Sequence, residues 1–246
     1  MLTILPESLE KKDLDKYYVG DSKDYKTLQD VFLQLINSAQ SYQRMPNVIK
    51  LDERRDIIKS ILFDYDLEKI AAKKPEYFYQ LFRREFNVTS KDSPQNSWRK
   101  WSKSVVDAAK FVNEFTDVDD FNHFVKLFDY NLPTRMALPL LISTKISGIG
   151  FALACDSLKE LGFTNYPKPD THLIDVFSAF ELSDRTPISV FEAIVKMAED
   201  CKSIDESVTP YKVDKIMWLI CTGRFYMDDI NVGRHKDEFI ERMIGC

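Results

Sequence analysis

Apolar residues recur at three- and four-residue spacing along most of the chain, the period of helices with one buried face. Leu28, Val31, Phe32, Leu35 and Ile36 share such a face, Thr27 and Asp30 form a capping pair ahead of it, and the stretch ends near Asn37-Ser38-Ala39-Gln40. Residues 54–63 predict a helix with Ile57, Ile58, Ile61 and Leu62 inward, followed by a short one over 66–73. Pro75 suits a helix start, and Phe78, Leu81, Phe82 and Phe86 line the face that follows. Residues 87–97, rich in Ser, Asn, Pro and Asp, read as a loop; helices return over 98–115, 118–128 and 134–145. Phe151, Ala154, Cys155, Leu158 and Leu161 mark the next helix, with Gly162 placed for a left-handed C-terminal cap. A proline-stiffened loop over 166–172 leads into a helix carrying Leu173, Ile174, Val176 and Phe177 to about Phe180. Thr186-Pro187 and Thr209-Pro210 each open another, the second running over 211–225 with Tyr211, Trp218 and Phe225 seven residues apart. The first 26 residues are polar and mixed, consistent with partial helix only. The pattern predicts an all-α chain without internal repeats.

Composition narrows this picture. A chain of 246 residues, 44% hydrophobic, can bury a substantial core as one domain or two small lobes. The net charge of -5 argues mildly against a nucleic-acid partner. Its distribution argues otherwise: residues 73–110 hold nine Lys or Arg against four acids, while 111–130 hold five acids and one Lys. One face can therefore be basic. Cys155, Cys201, Cys221 and Cys246 form no C-x-x-C pair, so a zinc site is not expected and reduced thiols are. Neither a signal peptide nor a membrane-spanning apolar run is expected.

Candidate chemistry lies around Lys145-Ile146-Ser147-Gly148-Ile149-Gly150-Phe151. An apolar helix over 139–145 gives way to a tight turn and a second helix. The two glycines permit unusual backbone angles, and their N–H groups lie near a helix N-terminus, where an anion is favoured. Twenty residues after Gly150, Asp170 opens the next helix in Pro169-Asp170-Thr171-His172. Alone, each feature has a plain reading: a Gly-x-Gly turn, and an Asp N-cap.

Together, at this spacing, they resemble the helix-hairpin-helix DNA glycosylase superfamily, whose pattern is L-P-G-V-G, a helix, and V-D-T-H about twenty residues after the second glycine. The resemblance implies a two-lobed all-α fold, with a helical barrel lobe over 28–161 containing the helix-hairpin-helix at 139–161. Residues 1–27 and 162–246 would form the other lobe, with the Asp loop at 166–172 in the cleft. It implies that Asp170 is catalytic, and that the hairpin (Gly148, Gly150, with Lys145 and Lys168 nearby) contacts the DNA backbone, through a structural monovalent cation as in the family. No other cofactor or metal is implied, and the cysteine spacing excludes the iron–sulfur cluster of some members. The family's nucleophilic Lys, two residues after the second glycine, is Ala152 here. The implied activity is therefore monofunctional: flipping a modified base out of duplex DNA and hydrolysing its N-glycosidic bond. A bifunctional glycosylase/lyase using a displaced Lys, a non-enzymatic helix-hairpin-helix DNA-binding protein, and a helical interaction scaffold are the alternatives. The expected partner is double-stranded DNA bound by a monomer, away from membranes, in the cytoplasm (nucleoid) of a prokaryote or otherwise with intracellular DNA.

Three further candidates keep two readings each. Ser38-Ala39-Gln40 resembles the family sequence whose Gln enters the gap left by an extruded base, which puts that role on Gln40; the other reading is an ordinary exposed polar residue. Tyr211 and Trp218 line either the core or a base pocket. Arg99, Lys100 and Lys103 beside Trp98 and Trp101 could hold a phosphate backbone, or form a charged outer face over inward-packed tryptophans.

Overall fold

The computed structural model describes residues 18, 25–43, 45–224 and 232–244. The chain divides into two units, Asp24–Ser157 and Met1–Lys23 with Leu158–Cys246. The described residues are helical, with no β-strand among them.

The first unit carries α1 (Leu28–Gln40), α2 (Pro46–Ile49), α3 (Arg55–Ile61), α4 (Leu67–Ala71), α5 (Pro75–Glu85), α6 (Ser97–Val112), α7 (Val118–Phe128), α8 (Leu132–Lys145) and most of α9 (Phe151–Glu160). Helix α1 starts where Thr27 and Asp30 cap each other's backbone. Helix α6 is the centre: α1, α4 and α5 all pack on it. Trp98, Trp101, Val105, Val106, Ala108, Ala109 and Val112 are buried along it. Trp101 is fully buried, and its indole N–H donates to the Ile36 carbonyl at 2.9 Å. Phe82 packs tilted against both tryptophans, with centroids 5.1 and 5.3 Å away, and the Arg54 guanidinium lies 4.7 Å over Phe86. The aromatics of this stretch are thus core, while Arg99 is held by Glu76 and Asp92.

Two local expectations are corrected here. The helix predicted over 54–63 stops at Ile61, and Phe63, Asp64 and Tyr65 take left-handed backbone angles. That turn brings Leu62 and Tyr65 both inward, with Tyr65 6.2 Å from Phe32. Ile57, expected inward, is exposed, because Ile58 and Leu62 fill the buried face.

The second unit carries the end of α9, α10 (Thr171–Ala179), α11 (Pro187–Cys201), α12 (Pro210–Thr222) and α13 (Lys236–Ile244). Its core joins Leu173, Val176 and Phe177 of α10 to Val190, Ile194 and Ala198 of α11, Met217 and Ile220 of α12, and Phe239 of α13. Helix α9 ends in a Schellman cap. Gly162 sits at φ +92, its N–H donates to Lys159, and the Phe163 N–H donates to Leu158. Thr186 and Thr209 cap α11 and α12, each followed by proline in the first turn. Helix α12 ends at Thr222 because Gly223 turns left-handed there; Phe225, together with residues 1–17 and Cys246, lies outside the described residues.

The packing of α6 makes a stability prediction. Trp101→Ala removes the largest buried side chain of the first unit and is expected to cost about 3–5 kcal/mol of unfolding free energy, the range for truncating a buried aromatic. Urea denaturation followed by circular dichroism checks this, and a loss under about 1 kcal/mol, the scale of surface changes, would contradict the central role of α6.

Candidate active site

Between α8 and α9 the chain makes a hairpin with buried shoulders and an exposed tip. Ile146 and Ile149 are buried, while Ser147, Gly148 and Gly150 are exposed. The Ile149 N–H donates to the Ile146 carbonyl at 3.2 Å, which closes the turn. Gly148 is required twice over: its φ is +84, and a Cβ there would come within 2.8 Å of the Ser104 hydroxyl. Gly150 differs from expectation. Its φ lies outside the left-handed region, and a Cβ would meet open space. Its contribution is therefore an unobstructed backbone at the start of α9, where its carbonyl accepts the Ala154 N–H at 2.9 Å.

Helix α6 anchors this hairpin with two residues one turn apart. The Ser104 hydroxyl donates to the Ser147 carbonyl at 2.6 Å, and the Asp107 carboxylate accepts the Ser147 N–H at 3.1 Å. Neither was singled out from the sequence, because both partners are about forty residues away. Lys145 pairs with Glu114 at 3.2 Å across an exposed surface, an interaction worth about 0–1 kcal/mol and readily exchanged.

In the second unit, Asp170 is the N-cap of α10. Its Oδ1 accepts the N–H groups of His172 at 2.9 Å and Leu173 at 3.1 Å. No hydrogen bond from a described residue reaches Oδ2. Buried Pro167 and Pro169 stiffen the approach. Burial pushes the Asp170 carboxyl above its ordinary range; the Leu173 N–H pulls the other way, the Asp214 charge adds to the rise, and Lys168 and His172 oppose it. Capping and a carboxylate oxygen left for other work thus coexist in one side chain.

Next to this loop lies a buried ion pair that sequence reading missed. Lys159, near the end of α9, donates to the Asp214 carboxylate at 3.0 Å, with the two side chains only 7% and 3% exposed. The same Asp214 oxygen accepts the backbone N–H of Lys168 at 2.8 Å. The signal in the sequence is slight: Asp214 lies three residues after Tyr211 and four before Trp218, on one helical stripe with them. Tyr211 is buried, which pushes its phenol up to about 12, and Lys215 lies 5.3 Å over its ring. Trp218 is half-buried against the core of the second unit.

Gln40 is buried, contrary to the reading of an ordinary exposed residue. Its amide donates to Asn37, and its carbonyl accepts the Leu51 N–H at 3.2 Å. The exposed tip after α1 is instead Ser41, Tyr42 and Gln43. Cys155, Cys201 and Cys221 are thiols outside any disulfide, and burial pushes Cys221 up to about 12. Among the described residues no cluster of His, Cys, Asp and Glu could hold a metal ion, and no helix is long and apolar enough to cross a membrane.

The described residues have the all-helical fold of a solved DNA glycosylase/lyase. The chain is similar to the crystal structure of Methanocaldococcus jannaschii 8-oxoguanine glycosylase/lyase in complex with a 15mer DNA containing 8-oxoguanine, with a TM-score of 0.53 and 16% identity over 89% of this chain and 94% of that one. No protein-family model and no curated protein sequence matches the chain.

The raised Asp170 carboxyl makes a stability prediction with a definite sign. A carboxyl whose folded pKa exceeds its unfolded value of about 3.9 contributes stability below that pH, and the contribution is lost as pH rises through the folded value. Asn also caps helices but does not titrate. Asp170→Asn should therefore gain stability relative to wild type as pH rises from about 4 toward neutral. Paired denaturation curves across that window measure it, and a difference that stays flat or falls would show that the carboxyl is not held above its ordinary range.

Proposed function

We propose that this protein is a monofunctional DNA glycosylase. It binds duplex DNA, takes a modified base out of the stack, and hydrolyses the bond between that base and C1′ of its sugar. The observation that carries this reading is Asp170: a half-buried carboxylate, tied by one oxygen to a helix N-terminus, in a chain with the glycosylase fold.

The chemistry follows from the bond to be broken. As the base leaves with the bonding electron pair, positive charge develops on the sugar, and an ionised carboxylate stabilises it. Water then attacks C1′ and gives up a proton to the same carboxylate, while the departing base takes a proton from solvent. Cap N–H groups and prolines limit Asp170's freedom, so little reorganisation accompanies the reaction. Exposed N–H groups of Gly148 and Gly150 would hold a phosphate next to the target nucleotide, with Lys145 and Lys168 as cationic neighbours, positioning the strand without reading sequence. The hairpin also suits a monovalent cation: the Ile146 and Ser147 carbonyls each keep a second lone pair, and the Asp107 carboxylate lends negative charge. Such an ion would supply only charge between hairpin and phosphate. Gln40 could enter the vacated base position after releasing Asn37 and Leu51. Tyr211 and Trp218 are the aromatic candidates for holding the base.

The similar structure is that of a glycosylase/lyase, but a lyase step needs an amine at C1′, and this chain has Ala152 where the family has its Lys. Hydrolysis without strand cleavage is the activity this substitution supports.

Asp170→Asn tests the reading. Single-turnover base release should fall by about 10²–10³, the effect of removing one main electrostatic stabiliser. Duplex binding should persist in the variant and weaken steeply with added salt, as phosphate contacts require. Wild-type rates in Asp170→Asn would refute the assignment.

A further inference from the structure

The buried charges of the second unit raise a question that the catalytic carboxylate alone does not answer. Removing an Asp and a Lys from water is unfavourable, and an apolar pair of similar size is often as stable. Lys159 and Asp214 are nonetheless buried together, and Asp214 spends the same oxygen on the Lys168 N–H, two residues before Asp170. Lys168 in turn accepts the Asp170 N–H at its carbonyl, at 2.9 Å. The route from the ion pair to the capping carboxylate is therefore continuous: Lys159 ammonium, Asp214 carboxylate, Lys168 peptide, Asp170.

We propose that Asp214, clamped by Lys159, is a positioning residue that fixes the loop carrying Asp170 and keeps a second negative charge beside it. This inference rests on the glycosylase reading. Two features make an ionic group suitable where an apolar one is not. The loop is bounded by Pro167 and Pro169, which have no N–H to donate, so the Lys168 N–H is the loop's available donor between them, and a carboxylate accepts it more strongly than a neutral group. The Gly162 cap fixes the Lys159 backbone at the end of α9, and the Lys159 ammonium donates to that carboxylate at 3.0 Å.

The charge has its own consequence. Groups acting on Asp170 are Asp214 from α12, Lys168 in the loop and His172 in the first turn of α10, with the Lys159 ammonium of α9 partly offsetting the Asp214 charge it pairs with; the Cys221 thiol on α12 also senses the Asp170 charge. Asp214 pushes the Asp170 carboxyl up, Lys168 and His172 pull it down. Neutralising Asp214 should lower the Asp170 pKa, so that base release survives to lower pH.

The test uses the full chain and two double variants that leave no unpaired buried charge. Asp214→Asn with Lys159→Met keeps an acceptor for the Lys168 N–H but no charge. Asp214→Leu with Lys159→Met removes the acceptor as well. The first should release base at close to the wild-type rate at neutral pH, while Asp214→Asn with Lys159 kept should carry the acid limb to lower pH. The second should lose base release on the order of a hundredfold, the scale expected for a misplaced catalytic group, at unchanged affinity for duplex DNA. Equal rates in wild type and both double variants, with no movement of the acid limb in Asp214→Asn, would overturn the proposal. A readout needing no variant is hydrogen exchange at the Lys168 amide of the wild-type protein, which should be slow; exchange at the rate of an open loop would overturn the positioning role even if neither variant folds. Absence of base release in wild type would instead refute the glycosylase reading, whatever the amide shows.

Discussion

A carboxylate at a helix N-terminus receives two backbone N–H groups and keeps one oxygen for other work, and the second unit depends on this arrangement at Asp170. Cap bonds favour the ionised form, burial opposes it, and burial prevails. The group therefore stays at a fixed place but is held in its charged form at some expense in stability. Strain of this kind is expected where a charge is needed for chemistry rather than for folding. The prolines before it, the Lys168 peptide and the Asp214–Lys159 pair all restrict the same short loop.

The hairpin follows a different principle. Its tip is backbone, and what matters is that nothing covers it. Gly148 meets this with a left-handed angle and no Cβ against Ser104; Gly150 meets it with open space alone. Ser104 and Asp107 hold the turn from the side by its Ser147 peptide, so rigidity comes from the buried α6 rather than from the tip itself. The same α6 carries Trp98 and Trp101 into the core. Of the two readings the sequence allowed for these tryptophans, inward packing is the one observed, and it fixes the element that presents the hairpin.

What was legible in the sequence is what local chemistry decides. Thr27, Asp170, Thr186 and Thr209 announce helix starts, and Gly162 a helix end, because a cap needs only its own few neighbours. The all-helical fold followed from periodicity. Helix α2, four residues long, and α13, polar with Phe239 as its buried residue, gave too little periodic signal to be read. Long-range pairing was illegible. Gln40 turns inward to Leu51, and Lys159 finds Asp214 fifty-five residues away, where the sequence offers only an acid between Lys212 and Lys215.

Hydrolysis at C1′ without strand cleavage, the proposed activity, is open to one direct measurement. Purified protein is incubated with duplexes that each carry one modified base, and each reaction is divided into a half treated with alkali and a half left untreated. Free base is expected from at least one duplex, with strand breakage confined to the alkali-treated half. No base released from any duplex, or strands cut without alkali, would contradict it.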